Sequence, residues 1–188
     1  MKTSMIILVS LLFTINLFGQ ASNTKDTPVQ RIEGYSNLFQ YQNLYLGGQP
    51  TIEELRWLKS QGVTKIINLR TEAENNEYSA YAYNEKSIAE EFGFKYCNIP
   101  IDVSKDYTPE RLEEISIQLK TDDVTLLHCT SGGRATYIFM AYLIKSRGFT
   151  INQAVELGKN LKYSNPLELL LDIGINLEIR QAGFENNN

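Results

Sequence analysis

The chain has 188 residues and a formal net charge of −4, with 18 basic and 22 acidic residues and no basic run, which argues against a nucleic-acid partner. Cys97 and Cys129 are the only cysteines, too few for a disulfide framework, and a single histidine without a carboxylate cluster gives no reason to expect a metal. No cofactor is implied.

Lys2 and the apolar run Ile6–Phe18, too short to span a bilayer, predict a signal peptide over 1–20 and hence a secreted or periplasmic protein. No cysteine lies near the expected cut at Gly19 or Gln20, so no lipid anchor is expected, nor any membrane association after cleavage. Residues 21–40 read as a polar linker, 41–184 as one domain and 185–188 as a disordered tail. Within the domain, Leu44–Leu46 is a short strand closed by Gly47-Gly48, and Gln49-Pro50 turns the chain into a helix. Thr51 and Glu54 form that helix's capping box, Leu55 and Leu58 give it an apolar face with Trp57 in the core, and Gly62 ends it. Val63–Leu69 is a buried strand. Arg70-Thr71-Glu72 then opens a polar loop whose tyrosines, 78, 81 and 83, are explained by packing and solubility. Asn84–Phe92 is helical and stops at Gly93; Phe94–Ile99 is the next strand. Thr108 caps and Pro109 opens a helix to about Lys120. After the strand Val124–Leu127 come a helix ending at Gly148, another capped by Thr150 (Ile151–Leu161), and a last one from Pro166 to about Arg180. This alternation predicts an α/β fold: a central, mostly parallel sheet of four to five strands flanked by helices, with ligands at the carboxyl ends of the strands.

His128-Cys129-Thr130-Ser131-Gly132-Gly133-Arg134 falls at such an end, between a buried strand and a helix start. Loop and first-turn N–H groups there make an anion cradle, and the helix N-terminus adds partial positive charge. Cys129 supplies a nucleophile and Arg134 a planar fork for two oxyanion oxygens. Gly132 and Gly133 let the backbone approach an anion closely. A free thiol titrates near 8.5, and moving one to about 6 takes about 3.4 kcal/mol. A helix dipole provides only about 0.3–2 kcal/mol, so loop donors and the arginine must provide the rest. His128 either orients this loop and tunes the thiolate or simply fills the strand end. Expulsion of an alkoxide needs a proton donor. Asp102, carried off a strand end by Ile99-Pro100-Ile101, is the first candidate and Asp106 the second. Arg70, after another strand end, is a candidate second anion contact.

These segments resemble the cysteine-dependent protein phosphatases, in particular the dual-specificity-like branch and, within it, the bacterial phosphatase-like domain attached to beta-lactamase-hydrolase-like proteins. The likeness runs from about Tyr45 to Arg180 through Leu46-Gly47-Gly48-Gln49-Pro50, Ile66–Arg70, Asn98–Ile101 and His128–Arg134. It implies a dual-specificity-phosphatase-like fold and a phosphoric monoester hydrolase working through a thiophosphoryl-enzyme. Cys129 would be the nucleophile, and the backbone of Thr130, Ser131, Gly132, Gly133 and Arg134, with the Arg134 side chain, the phosphate site. Asp102 would be the general acid. The substrate would be an anionic phosphorylated molecule; oligomeric state is not legible.

Two departures stand out. The family signature has five residues between cysteine and arginine; this chain has four. A hydroxyl normally follows the arginine, whereas here Ala135 does and Thr136 comes one later, leaving Thr130 and Ser131 as substitutes. The short loop resembles that of rhodanese-type sulfurtransferases, which carry a persulfide on the cysteine. Sulfur transfer, with a sulfur-donor substrate, is therefore the alternative, and an inactive phosphate- or sulfate-binding module a further one. An exposed low-pKa thiol oxidises readily in an oxidising compartment. Cys97, on a neighbouring strand, is thus a candidate resolving thiol for Cys129.

Overall fold

The computed structural model describes residues 27–77, 83–159 and 161. The expected signal peptide, the helix expected from Pro166, the tail and Tyr78 and Tyr81 lie outside them. In chain order the elements are β1 (Gln30–Arg31), β2 (Leu38–Tyr41), β3 (Leu44–Gly47), α1 (Ile52–Ser60), β4 (Lys65–Asn68), α2 (Glu72–Asn76), α3 (Glu85–Glu91), β5 (Lys95–Asn98), α4 (Pro109–Leu119), β6 (Thr125–His128), α5 (Gly133–Arg147) and α6 (Ile151–Gly158). They form one six-stranded sheet in the order β1-β2-β3-β6-β4-β5. The four strands β3, β6, β4 and β5 run parallel, while β1 and β2 form an antiparallel edge.

That edge corrects the expectation of a linker over 21–40. Gln30–Arg31 and Leu38–Gln40 pair into the sheet, and Tyr41 pairs with Leu44 across a two-residue turn at Gln42-Asn43. The turn carries no glycine; Gln42 takes φ 54 itself, so the usual hairpin signal is missing. The helix starts follow their caps. Thr51, Thr108 and Thr150 cap α1, α4 and α6, and Asn84 caps α3. Thr71 and Glu74 build a capping box of the same kind for α2, inside the stretch expected to be loop.

Alternation along the strands splits the core. Tyr45, Ile66 and Leu126 face Leu55 and Leu58 of α1 and Ala89 of α3. Leu46, Ile67 and Leu127 face Leu112 and Ile115 of α4 and the buried length of α5. Helix α5 is buried from Ala135 to Leu143, so β6, its loop and α5 pass through the middle of the molecule. At the amino ends of the strands, Asp123 ties β4 and β5 together through Lys65 and Lys95, each 2.9 Å away. These lysines, Lys95 first, hold its carboxyl below the usual range. Among the described residues, no helix is long and apolar enough to cross a membrane.

Leu127 is wholly buried two residues before Cys129. Leu127→Ala is expected to cost about 2–5 kcal/mol in chemical denaturation, because a residue in mid-sheet leaves a cavity that its neighbours cannot fill.

Candidate active site

Parallel pairing brings Gly47, His128, Asn68 and Asn98 into register at the carboxyl edge of the sheet. Cys129 is the next residue out and is 1% exposed. The strand end is held from both sides: the Cys129 N–H donates to the Gly47 carbonyl at 3.3 Å, and the Leu69 N–H donates to the His128 carbonyl at 2.9 Å. The chain then turns through Gly132, at φ 91, into α5. This turn aims the Gly132 N–H at Cys129 Sγ, 3.2 Å away. The loop's carbonyls are drawn the other way. Thr130 O accepts from the Gln49 N–H at 3.1 Å, and Ser131 O accepts from Asn37 Nδ2 at 2.8 Å. Among the described residues, the N–H groups of Thr130, Ser131, Gly133 and Arg134 donate to no backbone acceptor. They are the unspent donors of a loop and a helix start.

The Arg134 guanidinium crosses the cradle. Its Nη1 donates to Leu69 O at 3.1 Å, to Ile101 O at 2.9 Å and to Glu74 Oε2 at 2.8 Å. Its Nη2 donates to Glu74 Oε1 at 2.5 Å and to Thr130 Oγ1 at 3.1 Å. Burial acts to lower the Arg134 pKa, but the Glu74 carboxylate and the Cys129 sulfur outweigh it, and the net shift is upward. Thr130 Oγ1 also donates to Glu74 Oε1 at 2.6 Å. Burial likewise disfavours ionised Glu74, yet Arg134, Thr130 and the Thr71 N–H bring its pKa down to about 2.

A buried polar cluster stands behind the cradle. His128 Nε2 lies 2.7 Å from Glu85 Oε1, and Nδ1 lies 3.3 Å from the Cys129 carbonyl, so both ring nitrogens face acceptor oxygens. Gln49 Nε2 donates to Glu85 Oε2 at 2.9 Å, and its Oε1 accepts from Arg70 Nη1 at 2.8 Å. Burial raises the Glu85 pKa, but His128, Gln49 and Arg70 together outweigh it and the carboxyl ends below its ordinary range. His128 thus bridges the cluster and the loop rather than merely filling a strand end.

The structure brings together Cys129, Thr130, Gly132, Arg134 and, behind them, His128. Gly133 opens α5, and Ser131 contributes its carbonyl to the Asn37 contact. Thr136 is buried and donates to the Gly132 carbonyl at 2.9 Å, so its hydroxyl braces the helix start. Thr130 is the hydroxyl that reaches Arg134. The Arg70 guanidinium is buried against Gln49 and the Glu74 carbonyl. Asp102 accepts from the Ser104 hydroxyl at 2.7 Å and the Ser104 N–H at 3.0 Å. These bonds, with Lys105, hold it below the usual carboxylate range. Asp106 Oδ2 accepts from the Asp102 N–H at 2.9 Å. Neither acid contacts Arg134, although Ile101, immediately before Asp102, does.

Cys97 is not a resolving thiol in this arrangement. It lies on β5, and β4 separates β5 from β6. Two strand spacings of about 4.8 Å exceed the roughly 7 Å that a disulfide spans between Cα atoms. Burial first, and Glu114 second, push its thiol pKa up.

Sequence reasoning missed Glu74, Glu85, Gln49 and Asn37. Glu74 had a legible signal, since Thr71-x-x-Glu74 is a capping box. Asn84-Glu85 looked like an ordinary exposed helix start, and no periodicity marks Glu85 as buried.

An α/β fold with a cysteine and an arginine on one strand-loop-helix anion cradle, together with the family match, makes this a cysteine-dependent phosphatase of the dual-specificity-like class. The chain belongs to the PTP-NADK family, described as a DSP-PTPase phosphatase fused to NAD+ kinase, whose match covers residues 20–165. No curated protein matches the sequence. TpbA of P. aeruginosa has a similar fold, with TM-score 0.58, 15% identity and coverage of 70% of this chain and 77% of its own. A DUF442 protein of Shewanella putrefaciens gives TM-score 0.56 and 23% identity, covering 74% of this chain and 91% of that one. PTPMT1, solved in complex with PI(5)P, gives 0.55 and 21%, covering 69% and 88%. TpbA has also been solved in complex with pTyr.

Gly132 and Gly148 both take left-handed conformations, but only Gly132 is crowded, with the Asn37 side chain 3.2 Å from where a Cβ would sit. Each alanine substitution is expected to cost about 1–2 kcal/mol in thermal or chemical unfolding. Gly148→Ala is expected to leave turnover of an aryl phosphate unchanged. Gly132→Ala is expected to reduce it sharply, by displacing the amide that meets Cys129.

Proposed function

We propose that the protein hydrolyses phosphoric monoesters through Cys129. The observation that carries this reading is the Gly132 N–H aimed at the Cys129 sulfur at 3.2 Å, in a loop whose Thr130 hydroxyl is held by the Arg134 guanidinium. The thiolate attacks phosphorus, a P–S bond forms and the P–O bond to the leaving group breaks. Loop amides and Arg134 hold the non-bridging oxygens as charge shifts. The leaving alkoxide takes a proton from Asp102, with Asp106 as the other candidate. Asp102 is ionised in its present contacts, and a dianion nearby would push its carboxyl pKa back up toward a donor's range. Water then attacks the phosphoryl group, restoring the thiolate and releasing phosphate. The pTyr and PI(5)P complexes of TpbA and PTPMT1 support an anionic phosphomonoester as the substrate class. The apolar run after Lys2 supports action outside the cytoplasm.

The four-residue spacing between Cys129 and Arg134 is what favours sulfur transfer as a second reading. An aryl phosphate, and separately thiosulfate with cyanide, separate the two. Phosphate release is expected, falling at least about 10³-fold in Cys129→Ser. Thiocyanate formation without phosphate release would overturn the proposal. Asp102→Asn is expected to slow alkyl phosphates about 10²-fold while sparing aryl phosphates, whose leaving groups need little protonation. Equal losses on both would remove Asp102 as the acid.

A further inference from the structure

Arg134 is already occupied. In a phosphate cradle the guanidinium offers its fork to two oxyanion oxygens, and here two oxygens of the protein's own carboxylate take it. Glu74 Oε2 accepts from Nη1 at 2.8 Å and Oε1 from Nη2 at 2.5 Å, a two-pronged pairing of the kind a phosphoryl group makes. The remaining Nη1 contacts go to Leu69 O and Ile101 O. Nη2 also donates to Thr130 Oγ1, and Thr130 Oγ1 itself donates to Glu74. An incoming anion that uses Nη2 and the Thr130 hydroxyl must therefore dislodge Glu74.

We infer that Glu74 is a resident competitor of the substrate: its carboxylate occupies the oxyanion position on Arg134 and Thr130, and only an anion that outbids it enters the cradle. The inference rests on the phosphatase reading of the site and adds to it the identity of the group that substrate displaces. Three observations support it. Glu74 comes from the five-residue helix α2, too short to persist on its own and held by tertiary contacts that can be exchanged. Its side chain is 28% exposed against 11% for Arg134, so it has water to move into when displaced. Its pKa near 2 keeps it charged, and therefore competing, throughout the neutral range.

Displacement has a consequence for affinity. A monoanion exchanging for Glu74 replaces one negative charge with one, whereas a phosphomonoester dianion adds a second charge over Arg134 and the loop amides. Displacing Glu74 costs every anion the same, so Glu74 lowers the affinity of all of them, and the dianion, with its second charge, is the one best able to meet that cost. An ordinary positioning carboxylate, which only aims the guanidinium, would do the reverse on removal and weaken every anion.

The test uses the full chain carrying Cys129→Ser, alone and with Glu74→Gln, titrated calorimetrically with inorganic phosphate, phenyl phosphate and phenyl sulfate. Glutamine keeps the side-chain length and can still accept from the Thr71 N–H, so α2 retains its cap. Glu74→Ala is the second variant, and unfolding curves establish that each is folded. The expected result is binding of phosphate, phenyl phosphate and phenyl sulfate all at least about tenfold tighter in both Glu74 variants, with the preference for phenyl phosphate over phenyl sulfate unchanged. Phosphate binding unchanged or weaker in folded Glu74→Gln would overturn the inference. Aryl phosphate turnover by protein with Cys129 intact is read separately. Tighter binding without turnover leaves the competitor standing and removes the phosphatase reading, and turnover with weaker binding does the opposite.

Discussion

One guanidinium joins the separate pieces of chain that make the site. Arg134 is bonded to the carbonyl after β4, the carbonyl shortly after β5, the carboxylate of α2 and the hydroxyl of its own loop. They come from three stretches of chain, at residues 69–74, 101 and 130. Each offers an acceptor, and a half-buried cation satisfies all of them at once. Removing the arginine would leave two strand-end carbonyls and a carboxylate without their common donor. The same residue thus has an architectural duty independent of any substrate, and the cradle is assembled before substrate arrives.

The second constraint is the direction of the loop's peptide groups. An anion cradle needs N–H groups inside and carbonyls outside, and a short loop does not adopt that arrangement unaided. Here the outward bonds come from the opposite edge of the site, from the Gln49 amide and the Asn37 side chain, which bind the Thr130 and Ser131 carbonyls. Gly47, Gly48 and Gly132 leave the space for this contact: a Cβ on Gly48 would stand 2.6 Å from Asn37 Nδ2 and 3.0 Å from Thr130 O. The antiparallel edge of the sheet therefore serves the site, because the turn into β2 carries Asn37 against the loop. A loop one residue shorter than the family signature is braced from outside.

Much of the fold was legible because its signals are local. The threonine caps at 51, 108 and 150 and the apolar runs around Ile66-Ile67 and Leu126-Leu127 each specify their element within a few residues. So did the loop itself, where cysteine, paired glycines and arginine coincide with a strand end and a helix start. What escaped depends on distant partners. Glu85 is buried because His128 and Gln49 surround it, and Arg70 is held by Gln49 and the Glu74 carbonyl. Cys97 looked close to Cys129 while the strand order was unknown, and the insertion of β4 between β5 and β6 separates them. The antiparallel edge was hidden by the polar composition around β1 and β2 and by a turn from β2 to β3 made without glycine. Glu74 could have been found, since its capping box was present, but a capping residue gives no hint that its carboxylate also reaches across to an arginine sixty positions on.

The account stands on a covalent bond between phosphorus and one sulfur. Acid-quenching a rapid turnover of an aryl phosphate, followed by peptide mass spectrometry, reads that bond directly. A phosphoryl adduct on Cys129, formed within the first turnover and absent from Cys129→Ser, is the expected result. Phosphate released while Cys129 stays unmodified, or an adduct on any other residue, would contradict it.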